Sequence, residues 1–224
     1  MKQVVERRYV THDVRVTGEG KDAKITGYAA VFDSPNGEDD AEARGWSEEI
    51  DPHAFDGVLS SNPDVVALWN HNPDVILGRT SSGTLRLSVD KNGLAYEVDP
   101  PDTQAARDLT ALMQRGDVSR SSFGFVCKRD QWTETRDGSV SRRILEFHRL
   151  FDVSPVTFAA YPDTSSGLRS LPASMPAEIR ARFERPGYNC TQPTKGEQSD
   201  PPTVEQLRCR LAVHIGRLAA DKMT

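Results

Sequence analysis

The chain has 224 residues, and its 33 acidic and 28 basic side chains give a formal net charge of −5. No basic cluster is present that could neutralise a row of phosphates, so the sequence argues against nucleic-acid binding. The N-terminal residues lack the apolar core of a signal peptide, and no stretch approaches the ~18 apolar residues that a membrane span requires, so we expect a cytoplasmic protein without membrane contact.

Alternation and turn signals predict a mostly β protein. From Arg8 to about Thr164, short apolar runs are separated by turn residues, and we expect strands at 23–32, 65–69, 85–89, 94–98, 121–127 and 144–153. The runs at 85–89 and 94–98 flank an Asn92-Gly93 turn signal, which predicts a β-hairpin.

One helix is predicted between this hairpin and the 121–127 strand. Asp102 or Thr103 can cap its N-terminus, and Gly116 can end it. The apolar residues at helical spacing are Ala106, Leu109, Leu112 and Met113. A shorter helical pattern covers residues 176–183.

A change of composition divides the chain. Residues 188–202 are polar and proline-rich and predict a flexible linker. The preceding residues, 1–187, are expected to form the folded domain, and residues 203–221 predict an amphipathic helix. Its apolar stripe is Val204, Leu207, Leu211, Ile215 and Leu218. The fold class predicted for the domain is α+β, mostly β with a few helices.

The cysteines do not point to a disulfide or metal centre. The chain has three cysteines, Cys127, Cys190 and Cys209. An odd number of widely separated cysteines is typical of reduced thiols. No cysteine or histidine pair has metal-ligand spacing. We therefore predict neither a metal nor another cofactor.

A histidine follows the 65–69 strand at the point where the chain turns out of the sheet. His71 lies in the sequence Trp-Asn-His-Asn-Pro at 69–73. An imidazole titrates near neutral pH and can take a proton from a nucleophile. A solvated loop histidine has the same local pattern.

A serine lies at the start of an aromatic strand, in the sequence Ser-Arg-Ser-Ser-Phe-Gly-Phe at 119–125. In a strand Phe123 and Phe125 share one face, and Ser122 and Gly124 share the other. We expect Gly124 to leave room for a substrate backbone beside Ser122. A serine buried in a sheet would give the same pattern.

The third segment of interest is 145–154. Strict alternation would place Glu146, His148 and Asp152 on one face, where they could line a groove. The residues expected on the opposite face are Phe147, Phe151 and Val153.

Together these segments resemble the prohead proteases of tailed phages, which are similar to the herpesvirus assemblin serine proteases. The resemblance covers about residues 24–164. It rests on five blocks in matching order and spacing: 27–32 (GYAAVF), 49–55 (EIDPHAF), 69–71 (WNH) with 77–80 (LGRT), 122–125 (SFGF) and 152–157 (DVSPVT).

The resemblance implies a protease built on a small closed β-barrel, with His71 as general base, Ser122 as nucleophile and Asp152 as the third member. The family usually carries glutamate where Asp152 stands, and the related herpesvirus enzymes use a second histidine, so His148 stays an alternative. Two further departures are His53, where the family prefers glycine, and Ser121, where it prefers an apolar residue. Ser121 is thus an alternative nucleophile.

The resemblance also implies partners and a location. The expected substrates are the scaffold, or the scaffolding segment of the major capsid protein, and finally the protease itself, inside the assembling procapsid in the host cytoplasm. Self-association into a homo-oligomer is left open. Two alternatives remain: a non-enzymatic capsid- or scaffold-binding β-domain, and a cysteine protease that uses Cys127. Oxyanion donors are not identified, although Arg79 and Arg120 lie near the motifs.

Overall fold

The computed structural model describes residues 5–10, 14–18, 22–32, 45–136, 138–158 and 171–184. The predicted linker at 188–202 and the predicted helix at 203–221 lie outside these residues. The described strands are β1 (Glu6–Val10), β2 (Arg15–Thr17), β3 (Lys24–Val31), β4 (Ser47–Ile50), β5 (Val66–Trp69), β6 (Asn72–Arg79), β7 (Leu85–Val89), β8 (Gly93–Val98), β9 (Arg120–Glu134) and β10 (Val140–Val156). The helices are α1 (Asp56–Ser60), α2 (Gln104–Arg115) and α3 (Ala177–Phe183).

The strands form two sheets. One has the order β1-β9-β10-β5-β6, with β4 also paired to β10, and the other has the order β2-β3-β8-β7. Within the described ranges no strand ladder joins the two sheets, which corrects the predicted closed barrel but not the predicted mostly β class. Alternation of apolar and polar residues predicts strands, but closure depends on pairing between edge strands, which that alternation does not encode.

The main core contains residues of both sheets. Phe123 and Phe125 from β9 belong to one buried apolar cluster with Leu94 and Val98 from β8. Helix α2 packs on the same cluster through Ala106, Leu109 and Met113. One face of β9 is therefore directed into the core, and its other face is left for the polar groups described below.

Two elements follow their sequence signals closely. Strands β7 and β8 pair antiparallel with Val89 opposite Leu94, as the predicted hairpin requires. In α2 the Thr103 side chain accepts a hydrogen bond from the Ala106 N–H at 3.3 Å, and Gly116 ends the helix with φ 85°. Left-handed backbone at that position favours glycine, so the predicted N-cap and helix end are both confirmed.

The short helix α3 confirms the pattern predicted at 176–183. Its buried residues Ile179 and Phe183 join a second apolar cluster with Trp46, Val140, Leu171 and Met175. No helix in the described residues is both long and apolar enough to cross a membrane.

A buried ion network connects β1, β4, β9 and β10. The Arg142 guanidinium, with no exposed side-chain surface, donates to Glu6 at 2.6 Å, to Glu48 at 2.9 Å and to Asp130 at 2.6 Å. Arg8 also bonds to Glu6 and Glu48. Burial alone would lower the pKa of Arg142, but hydrogen bonds and charge from these carboxylates raise it instead. The network fastens β1 to the sheet on which Ser122 lies.

We expect Arg142→Ala to lower the free energy of unfolding by about 3–5 kcal/mol, because the buried Asp130 carboxylate loses its Arg142 partner and Glu6 and Glu48 are left to share Arg8. Arg143→Ala is the matched control, since the neighbouring Arg143 side chain is 41% exposed in its pair with Asp51, and it should cost less than about 1 kcal/mol. Urea unfolding measures both. Equal losses for the two variants would contradict this account of the network.

Candidate active site

His71 lies at the tip of a tight hairpin between β5 and β6. Trp69 pairs with Asn72, so Asn70 and His71 are the two loop residues. Their φ angles are 55° and 56°. Positive φ at both loop positions is what a type I′ hairpin turn requires. A turn is thus present where it was predicted, but it leads into β6 of the same sheet rather than out of the sheet. It places an imidazole where backbone geometry would favour glycine.

Cross-strand register brings Ser122 and Asp152 to the same sheet face. On the β9–β10 ladder Ser122 pairs with Ser154, and Gly124 pairs with Asp152. Paired residues project from the same face of a sheet. Because Phe123 projects from the other face into the core, all four of these residues lie on the outer face.

The three predicted residues form one hydrogen-bonded series. His71 Nε2 lies 2.6 Å from Ser122 Oγ, and His71 Nδ1 bonds to Asp152 Oδ2. An ionised carboxylate only accepts, so the proton of a neutral imidazole lies on Nδ1 and leaves Nε2 free to accept from the serine hydroxyl. The site is largely closed to water: Ser122 is 0% exposed, and the His71 side chain is 11% exposed.

Sequence reasoning missed Ser154. Its Oγ donates to Asp152 Oδ2 at 2.7 Å and lies 3.3 Å from His71 Nδ1. Ser154 is fully buried, and its hydroxyl fixes the carboxylate that faces the imidazole. The available signal was its i+2 spacing from Asp152, which puts the two side chains on one strand face.

Gly124 has a different role from the one predicted. A Cβ built on Gly124 would lie 2.5 Å from Asp152 Oδ1. The space beside Gly124 is therefore filled by the Asp152 carboxylate rather than open to a substrate backbone. This correction follows from the β9–β10 register, which the sequence of β9 alone does not contain.

For the serine-protease mechanism that the resemblance implies, we expect Gly124→Ala to slow acylation by about 100-fold, the order of effect that a displacement of ~1 Å has on reacting groups. The added methyl would push Asp152 away from His71. Stability should change less than activity, because the atom that the methyl meets is the end of a side chain rather than backbone. Steady-state kinetics and thermal unfolding measure the two effects. Gly57→Ala is the control, since its Cβ meets Glu146 at 3.4 Å, and undiminished activity of Gly124→Ala would refute the steric argument.

Irregular pairing in β10 overturns the predicted alternation at 145–154. The β9–β10 register shifts between Phe147 and Arg149 and again between Leu150 and Asp152. Each shift is a β-bulge, which changes the face on which the following residues lie. His148 is exposed, and Phe151 lies outside the core with the Arg149 guanidinium 4.6 Å from its ring centroid. Only Asp152 of the predicted polar group contacts His71.

The alternative nucleophiles lie elsewhere. Ser121 is buried on the core face, where its Oγ donates to Tyr96 Oη at 3.1 Å. Cys127 packs against the main core, and burial is the chief cause that raises the pKa of its thiol to about 12. A thiol with that pKa stays protonated and weakly nucleophilic at neutral pH.

The two arginines near the motifs are directed to solvent. Arg79 donates through Nε to Asp64 at 2.8 Å, and this hydrogen bond is the chief cause that lowers the pKa of Asp64 to about 2. Arg120 is exposed at the first residue of β9. Among the described residues, no group of three or more His, Cys, Asp or Glu side chains could hold a metal ion.

A serine hydroxyl, an imidazole and a carboxylate, hydrogen-bonded in that order, are the arrangement that characterises triad serine hydrolases. A family model described as caudovirus prohead serine protease matches residues 10–174. The chain belongs to this family.

The chain is also similar to one named phage protease and to one solved structure. The prohead protease of Enterobacteria phage HK97 is 30% identical over 151 residues, which are 66% of this chain and 60% of that relative. The chain thus spans about 60% of the length of this relative. Among solved structures, the bacteriophage T4 capsid assembly protease aligns over 70% of this chain and 98% of its own, with a TM-score of 0.48 and 11% identity.

Proposed function

We propose that this chain is a serine endopeptidase of phage capsid maturation, with Ser122 as nucleophile, His71 as general base and Asp152 as the residue that orients the base. The observation that carries the proposal is the hydrogen-bonded series from Asp152 through His71 to Ser122. Residues from three separate strand regions meet in the order that acyl transfer needs.

In the proposed reaction Ser122 Oγ attacks the carbonyl carbon of the scissile bond while its proton passes to His71 Nε2. The C–N bond then breaks, Nε2 gives the proton to the leaving amine, and the acyl group stays on Oγ. Water, deprotonated by the same nitrogen, releases the acyl group as a carboxylic acid and restores the hydroxyl.

Asp152 and Ser154 support the base. As His71 becomes an imidazolium, the Asp152 carboxylate next to Nδ1 stabilises the new positive charge. Asp152 is only 7% exposed, and low solvent access strengthens this charge interaction. The Ser154 hydroxyl holds the carboxylate in place by donating to the same oxygen that faces Nδ1.

Access to the nucleophile requires movement. Because Ser122 has no exposed surface, a peptide bond reaches Oγ only after the groups that cover it shift. Substrate binding would therefore be coupled to an opening of the site, a step that limits turnover in many enzymes.

The proposed substrates follow from family membership and from the phage relative, which is named a prohead protease. We place the enzyme inside the assembling procapsid in the host cytoplasm. There it would cut the scaffold or the scaffolding segment of the major capsid protein, and itself.

Co-expression of the full chain with the major capsid protein of the same genome tests the proposal. We expect the capsid protein to be shortened, with a single new terminus that mass spectrometry can locate. If particles contain the chain but their capsid protein and scaffold stay intact, the protease proposal is wrong, and the non-enzymatic capsid- or scaffold-binding domain is the better description.

A further inference from the structure

We infer that Asn70 is a positioning residue that holds His71 against Ser122. This inference rests on the proposed function, because it assigns the device that aims the proposed base. The observations concern three hydrogen bonds between the hairpin tip and the end of β10, none of which touches the reacting atoms.

The hairpin tip extends beyond regular strand pairing. Strand β5 pairs with β10 at Val66 opposite Asp152 and at Ala67 opposite Val153. The register pairs with β10 end there, and Asn70 and His71 lie beyond them in the turn. A two-residue turn at the end of a short ladder is free to swing unless other bonds fix it.

Asn70 supplies those bonds. Its backbone N–H donates to the Pro155 carbonyl at 3.0 Å. Its side-chain Nδ2 donates to Thr157 Oγ1 at 3.2 Å, and its Oδ1 accepts from the Thr157 N–H at 2.8 Å. The hairpin tip that carries His71 is thus hydrogen-bonded to Pro155 and Thr157, which follow Asp152 in the chain. The position of His71 is therefore tied to the segment that carries Asp152.

Asparagine suits this position for two separate reasons. It tolerates the left-handed backbone that Asn70 adopts at φ 55°. It also carries a donor and an acceptor on one side chain, and the bonds to Thr157 use both. An aspartate at position 70 would keep the acceptor but lose the donor to Thr157. A glycine would accept the positive φ but would lose both side-chain hydrogen bonds.

The two hydrogen bonds between the Asn70 side chain and Thr157, called the clamp below, contribute more to the position of the His71 ring than to the stability of the fold. Asn70 and Thr157 are both exposed, and hydrogen bonds in water contribute little net free energy to folding. His71 Nε2 must, however, stay within hydrogen-bond reach of Ser122 Oγ, from which it is 2.6 Å away. A shift of ~1 Å at that contact is enough to cost about 100-fold in rate.

Asn70→Gly is the decisive variant, because it keeps a residue that accepts positive φ and removes both side-chain bonds. Asn62→Gly is the matched control, an asparagine with φ 52° in the turn after α1. Thr157→Val removes one bond and leaves the backbone N–H in place. The first readout is the labelling rate of the full-length protein by a fluorophosphonate probe, with thermal unfolding measured alongside.

We expect labelling to slow by about 10- to 100-fold in Asn70→Gly, by a few-fold in Thr157→Val and not at all in Asn62→Gly, while the melting temperatures of all three stay near that of the unaltered chain. If the unaltered chain is labelled, an equal labelling rate of Asn70→Gly would overturn the inference. So would a loss of rate that merely parallels a loss of stability.

A second readout separates this inference from the proposed function. The His71 ring N–H that bonds to Asp152 gives an NMR signal whether or not the chain is a protease. We expect this signal to weaken or vanish in Asn70→Gly and to persist in Asn62→Gly. If the unaltered chain is not labelled but the NMR pattern holds, the protease proposal fails and the clamp stands; a persistent signal in Asn70→Gly refutes the clamp.

Discussion

Replacing Ser122 with alanine is expected to abolish cleavage of the capsid protein, with a loss of at least about 10⁴-fold, because no other group can form the acyl-enzyme. The variant should fold normally, since it deletes one hydroxyl whose hydrogen-bond partner is the His71 ring. Co-expression with the capsid protein measures processing, and thermal unfolding measures folding.

Ser121→Ala is the matched control and should show the opposite pattern. Ser121 is also fully buried, but its hydroxyl bonds to Tyr96 on the core face. Its loss leaves a buried phenol without that partner and should cost about 1–3 kcal/mol of stability, with most of the cleavage retained. Activity in Ser122→Ala together with inactivity in Ser121→Ala would reverse the assignment.

Replacing Asp152 with asparagine is expected to lower the acylation rate by about 10³- to 10⁴-fold while the fold is kept. An amide can donate to His71 Nδ1, which then accepts and leaves the ring proton on Nε2. In that tautomer Nε2 cannot take the proton of Ser122. The acylation rate measured against pH reports the defect.

His148→Ala is the control for the third member of the series. His148 is exposed and lies in the bulged part of β10, whereas Asp152 bonds to the His71 ring. We expect the acylation rate of His148→Ala to match that of the unaltered chain at each pH. A large loss for His148→Ala with a small one for Asp152→Asn would instead indicate an enzyme with two histidines.

Local signals in the sequence were sufficient for the local elements. The β7–β8 hairpin follows its Asn92-Gly93 turn, and α2 follows its Thr103 cap and Gly116 end. The turn that carries His71 was predicted in place, although not its left-handed backbone. Such features depend on the conformational preferences of a few consecutive residues, which a single sequence contains.

Features that depend on pairing between distant strands were not predictable. Strand β1 lies against β9 with Tyr9 opposite Ser122, and nothing in the sequence of β1 indicates this partner. His148 is exposed because it lies in the bulged part of β10. The Asp152 carboxylate occupies the space beside Gly124 because the β9–β10 register pairs these two residues. Register sets which side chains meet, and it is decided by the packing of the whole sheet.

Mass spectrometry of the full-length chain after reaction with a fluorophosphonate tests the central claim most directly. The probe forms a stable bond only with a serine that a neighbouring base activates, so it reports on Ser122 and His71 together without a known substrate. We predict a single adduct on Ser122 in the unaltered chain and no adduct in His71→Ala. An adduct on Ser121, or no adduct on a folded chain, would contradict the account.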